Sequence, residues 1–167
     1  MSPKAATLMV VDGYNVIGAK WDLRQGDLDP HRQALIEHLC NYSAMQGYET
    51  YIIFDAHRCP QPERWEPITD RVQVCYTGYG TTADAYIERF CAQHRGRDQR
   101  LIVVTSDRLA WMTAGGYGAE WMSSQSLWQA IAQLDSQHRS TASPRPSRGL
   151  PQAVQARLRQ WLENDTL

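Results

Sequence analysis

Long hydrophobic runs are missing from this chain of 167 residues. Its strongest apolar stretches, such as Leu101–Val104, are far too short to cross a bilayer. The first seven residues lack the apolar core of a secretion signal, and Asp12 ends the run that follows. The expected place of action is the cytoplasm, or an organelle stroma if a transit peptide has been removed. Lysine is nearly absent: of 17 basic residues only Lys4 and Lys20 are lysines, and the rest are arginines. Arginine favours bidentate phosphate contacts, although a codon bias explains the same count. The net charge of −1 argues against a chain that holds a polyanion by bulk charge alone. No CxxC pair occurs, which argues against a structural zinc site. Cys40, Cys59, Cys75 and Cys91 are expected as free, mostly buried thiols, because a chain with 43% apolar residues builds its core without disulfides. There is no internal repeat, and no complete P-loop or Rossmann fingerprint.

What is present is an alternation of strands and helices. Residues 7–11 (TLMVV) form a short apolar run closed by Asp12-Gly13, a turn signal. Residues 31–46 carry Leu35, Leu39 and Tyr42 at helical spacing, with Pro30 at the start and Gly47 at the end. Strands are expected at 49–55 (ETYIIFD), 72–76 (VQVCY), 101–105 (LIVVT) and 119–122. Helices are expected at 82–94, 107–113 and 124–134, with Trp111 and Trp128 on apolar, core-facing positions. Such an order implies parallel βαβ units with right-handed crossovers. The domain is expected over 7–137. A Pro/Ser/Arg-rich linker is expected over 138–151, where three prolines and three arginines stand without an acid. A C-terminal amphipathic helix is expected over 152–167, with Val154, Leu158, Trp161 and Leu162 on one stripe. Its basic residues are either a solvated face or an RNA-facing arm.

The informative pattern is where the acids fall. Asp12 follows the first strand, Asp55 ends the second, Asp84 opens the helix after the third, and Asp107 follows the fourth. Open α/β sheets bind ligands outside the carboxyl ends of their strands, at the point where strand order reverses. With strand order 3-2-1-4-5, Asp12 and Asp107 face each other there, and Asp84 projects into the same crevice. Glu88 lies four residues on from Asp84, on the same helix face. Singly, each acid is explained by a turn or a helix cap. Together, like charges at one sheet edge call for a cation. Oxygen ligands with few histidines or thiols suit Mg²⁺ or Mn²⁺, ions that activate water and stabilise phosphoryl displacement. Asn15 sits at the same rim, either as a turn residue or as a partner of the first carboxylate.

Four segments, DGYNVIGA (12–19), FDAH (54–57), GTTADAYIE (80–88) and VVTSDR (103–108), resemble the YacP-like branch of the NYN domain nucleases, relatives of the PIN and FEN-like enzymes. The resemblance covers about residues 8–135. It implies an α/β fold, a three-layer α/β/α PIN-like domain with a central parallel sheet in the order 3-2-1-4-5. It also implies endonucleolytic cleavage of RNA dependent on Mg²⁺ or Mn²⁺, with mRNA at the ribosome as one substrate. Carried over residue by residue, Asp12, Asp84 and Asp107 match the metal-binding acids and Asn15 their companion. Glu88 fits the acidic helix face. Asp55 and His57 match an auxiliary motif, with Ser106 beside them at the rim. Arg108 stands as a phosphate clamp.

Around this site, Lys20 and Trp21 in the 17–29 segment can contact a phosphate and stack on a base, or Trp21 can be a packing residue. Arg58 lies in the long loop after Asp55. The expected function is a metal-dependent endoribonuclease, with a non-catalytic RNA- or ribosome-binding module on the same fold as the alternative. A dehalogenase-type phosphatase is disfavoured, because Tyr14 stands where its second aspartate is needed. The sequence leaves oligomeric state open.

Overall fold

The computed structural model describes residues 5–141, together with Val154 and Ala156. The described elements are β1 (Leu8–Asp12), α1 (Gly13–Gly18), α2 (Asp29–Gln46), β2 (Glu49–Phe54), β3 (Arg64–Pro67), β4 (Val72–Tyr76), α3 (Ala83–His94), β5 (Leu101–Val104), α4 (Arg108–Gly116), β6 (Glu120–Met122) and α5 (Ser124–Thr141).

One six-stranded sheet runs β3-β4-β2-β1-β5-β6. The five expected strands are β1, β2, β4, β5 and β6. They pair in parallel and in the expected order. The sequence reading missed β3, which leaves the loop after Asp55 to pair antiparallel with β4 at the sheet edge. Its residues, RWEP, contain no apolar run, and Pro67 at its end is tolerated only at such an edge.

β1 lies between β2 and β5, helices cover both faces of the sheet there, and every residue in it is buried. That explains its continuous apolar sequence. Side chains alternate across it. Met9 and Val11 join one core with Val16, Ile17, Leu35, Leu39, Leu127 and Ile131 from α1, α2 and α5. Leu8 and Val10 join the other, with Ile87, Phe90, Cys91 and Ala114 from α3 and α4. Two cores on opposite faces of one sheet make the three-layer arrangement.

α2 starts with Pro30 in its first turn and stops at Gly47, whose φ of 70° places it in the left-handed region where its N–H reaches Ser43 O. All four cysteines are free. Cys75 and Cys91 are buried, Cys40 is half-buried and Cys59 is exposed. The compact unit is Met1–Leu134, and Asp135–Leu167 forms a second. α5 runs to Thr141, so the first four residues of the expected linker are helical, with His138 and Arg139 suited to the negative end of a helix dipole. Val154 and Ala156 are helical, and the rest of the expected linker and terminal helix lies outside the described residues. No described helix is long and apolar enough to cross a membrane.

Candidate active site at the strand ends

The chain turns directly from β1 into α1, and Asp12 is the hinge. Its carboxylate caps α1 through a long bond, 3.4 Å, from Asn15 N–H. Gly13 is required next to it, because a Cβ there would lie 2.4 Å from Cε1 of Phe54. Asn15 then ties three elements together. Its Oδ1 accepts from Ser106 N–H at 2.7 Å and from Ser124 Oγ at 2.7 Å. The rim after β5 and the start of α5 are thereby fixed to the start of α1. Ser124, buried and 109 positions away, was not anticipated, because no local signal links it to Asn15.

Asp55 follows β2 and is well supplied with donors. Its Oδ1 accepts from His57 N–H at 3.0 Å and pairs with His57 Nδ1, and its Oδ2 accepts from Ala83 N–H at 3.1 Å. Asp55 thus holds the first turn of α3, which carries Asp84. Thr82 caps that helix, its side chain accepting from Ala85 N–H. Asp107 caps α4, accepting from Leu109 N–H at 2.8 Å and Ala110 N–H at 3.4 Å.

The electrostatics join these acids into one group. Asp12 is 9% exposed, and its carboxyl is pushed up to about 7, first by burial and then by the charges of Asp84, Asp55 and Asp107. Its one backbone bond offsets this only partly. The Asp84 carboxyl is raised as well, by partial desolvation and then by Asp107 and Asp55. Asp55 goes the other way. Desolvation pushes it up, but the N–H groups of His57 and Ala83 and the His57 ring outweigh it and hold it below the usual carboxylate range. Among the described residues, no three of His, Cys, Asp and Glu already stand together as a metal cage. Asp12 and Asp84 feel the charges of the other aspartates, although the acids do not form a closed cage.

The other expected residues differ in their surroundings. Glu88 is exposed on α3, and its charge adds to burial in pushing the neighbouring Cys91 thiol up to about 11. Trp21 is a packing residue. It stacks on His31 at 4.9 Å and meets the edge of Trp128 at 5.3 Å, with Lys20 Nζ over both indoles. Trp128 packs against the core as expected, but Trp111 is not among the side chains packed on either core and lies 5.4 Å from the exposed Trp121. Arg58 and Arg108 are exposed, and neither is in an ion pair among the described residues. Ser106 is exposed at the rim, and its Oγ accepts from Ser124 N–H.

Comparisons with known proteins place the fold in a family. The YacP-like NYN domain family matches residues 9–164. The chain is 30% identical over 132 residues to the uncharacterized protein YacP of Bacillus subtilis (strain 168), covering 77% of this chain and 76% of that one. The crystal structure of Rae1 (YacP) from Bacillus subtilis is similar at TM-score 0.65 and 26% identity, covering 80% of this chain and 78% of that one. A mutant of the same protein gives 0.68 and 27%, covering 80% of each. The chain belongs to the YacP-like NYN domain family, a nuclease-type domain with an RNA-related function.

Proposed function

We propose that this chain is an endoribonuclease that works with Mg²⁺ or Mn²⁺ at Asp12, Asp84 and Asp107. The observation that carries the reading is Asp12: a buried carboxyl at the sheet's switch point, pushed up to about 7 by burial and by three neighbouring aspartates. The donor set fits such an ion. It is all carboxylate oxygen, and its mutual repulsion is relieved by a cation. Mg²⁺ asks for no complete protein cage, because it commonly keeps waters and uses one or two carboxylates plus substrate phosphate. Asp12, Asp84 and Asp107 would hold it, and bound there it supplies an activated water and charge neutralisation at the phosphate.

The chain's own residues do the rest. Asn15 fixes the rim after β5 against α1, so Asp107 keeps its place relative to Asp12. Asp55 anchors the first turn of α3 and with it Asp84. His57 is oriented by Asp55, an auxiliary pair at the same rim. Arg108, at the first residue of α4, neutralises the RNA backbone beside Asp107, and Arg58 does so on the Asp55 side. Glu88, four residues after Asp84 on α3, ranks behind the three aspartates as a ligand. The substrate in this reading is mRNA, with cleavage in the cytoplasm and the ribosome as partner.

The test is cleavage of mixed-sequence single-stranded RNA with Mn²⁺, Mg²⁺ or EDTA, wild type beside Asp84→Asn, repeated on translating ribosomes. Metal-dependent cutting lost in the variant supports the reading. RNA binding without turnover under all these conditions replaces it with the non-catalytic module.

A further inference from the structure

We infer that the rim of the acidic crevice carries nucleobase-stacking side chains, Trp121, Leu109 and Met112 on the Asp107 side and Tyr79 on the Asp84 side, along which a single-stranded RNA lies with its bases. This rests on the reading of the crevice as a phosphodiester site and says where the flanking nucleotides go.

The distribution of exposed apolar side chains carries the inference. Six large hydrophobics are exposed among the described residues, and the four most exposed are Leu109 (76%), Tyr79 (71%), Met112 (54%) and Trp121 (48%). Three of the four belong to segments that lead into or follow one of the acids, and the fourth reaches the end of β5. Tyr79 lies in the turn that leads into α3, five residues before Asp84. Leu109 and Met112 lie on α4, the helix capped by Asp107. Trp121 lies on β6, but its Nε1–H donates to Thr105 O at 2.7 Å, which draws the ring to the end of β5, two residues before Asp107. Trp111 braces it, ring to ring at 5.4 Å and 32°.

α4 is unusual for a surface helix, because its only fully buried residue is Ala114. Large apolar side chains left exposed on the elements that frame a polar crevice mark a binding surface. Charge and shape select the occupant. The exposed Arg108 immediately precedes Leu109 and sits in no ion pair among the described residues, so a phosphate and a base can be met by adjacent residues. Trp121 is held by its N–H and by one neighbouring ring, with about half of its surface open, as a stacking platform requires. Stacking accepts any base, so this surface favours single strands over duplexes without fixing a sequence.

The experiment measures equilibrium binding of the full chain to two fluorescent strands of equal length, oligouridine and an abasic strand with the same phosphates. All proteins carry Asp84→Asn and are measured with Mg²⁺, so that strands remain intact. Trp121→Ala is expected to weaken oligouridine binding roughly 5- to 100-fold while leaving the abasic strand unchanged, and Trp121→Phe to retain most of the affinity. Leu109→Ala and Tyr79→Ala, at positions too exposed to matter for folding, are expected to act in the same direction and more weakly. If the parent protein binds oligouridine and all three alanine variants bind it equally well, the inference is overturned and the surface serves a protein partner instead. If the parent binds neither strand, the underlying reading fails together with the inference.

Discussion

Asp12 and Asp55 end neighbouring strands of one sheet, yet they are opposite in character. Asp55 receives two backbone N–H groups and the His57 ring, and its carboxyl lies below the usual range. Asp12 is more deeply buried, has one backbone N–H at 3.4 Å, and is pushed up to about 7. The difference is one of solvation. An anion supplied with donors is a structural brace, whereas an anion taken out of water beside other anions is kept at a cost to the fold. A fold retains such a cost where something else offsets it, and at this rim a cation is the partner of the right sign.

The largest expected effect is on turnover. Asp12→Asn is expected to lower RNA cleavage roughly 1,000-fold, the order expected when several kcal/mol of metal-borne stabilisation is lost. Asp55→Asn is expected to retain measurable activity, and a steady-state cleavage assay compares the two. Equal loss in both would erase the contrast.

The next effect is on stability, and its sign is the reverse of an ordinary active-site lesion. The Asp12 carboxyl titrates near 7 in the folded chain against 3.8 for the free group, so in that window the folded state holds a proton that the unfolded state has lost. Stability therefore falls as pH rises from 3.8 to about 7 and stays low above it. The full span corresponds to about 4 kcal/mol. Asp12→Asn removes this dependence. Urea unfolding without metal should find the variant more stable than wild type at pH 8, and the two alike near pH 4. Asp55 has the opposite sign. Its contribution is present above the ordinary carboxylate pKa and disappears as pH falls through its lowered value. Asp55→Ala is expected to cost about 2 kcal/mol at pH 7, because Ala83 N–H and the His57 groups lose their acceptor. The same unfolding measurement at pH 7 and pH 3 should find that difference shrinking in acid.

The same contrast explains what could be read from the sequence. The strands and the acids at their ends were legible because each strand is a short apolar run and each aspartate sits at a chain turn, a local pattern. Which acid is satisfied and which is not was illegible, because the donors to Asp55 include Ala83 N–H, 28 positions away. Asn15 was recognised as a rim residue, but its two donors, Ser106 and Ser124, lie 91 and 109 positions away. Trp21 read equally as a base-stacking or a packing residue, and the contacts that show its packing come from His31 and from Trp128, far along the chain. Glu88 shares a helical face with Asp84 by its spacing, one turn further along α3. β3 escaped because Arg64–Pro67 owes its strand character to pairing with β4 and not to its own composition.

The smallest expected effect sharpens the comparison most, because it needs no catalysis. A cation that binds the folded chain and not the unfolded one stabilises by mass action, about 1.4 kcal/mol at a concentration ten times its Kd. For a domain of this size that is a rise of roughly 3–5 °C in Tm. The rise should be largest near pH 8, where Asp12 is ionised and its repulsion with Asp84, Asp55 and Asp107 is unrelieved. It should shrink below about pH 6, where a proton already occupies Asp12 and competes with the metal. Asp12→Asn, with the repulsion already removed, should show little rise at either pH, and Asp55→Asn should still respond. Thermal unfolding with and without Mn²⁺ in wild type and both variants reads all of these outcomes. An equal rise in all three proteins would move the ion away from Asp12 and leave the burial of that carboxylate without a cation to offset it.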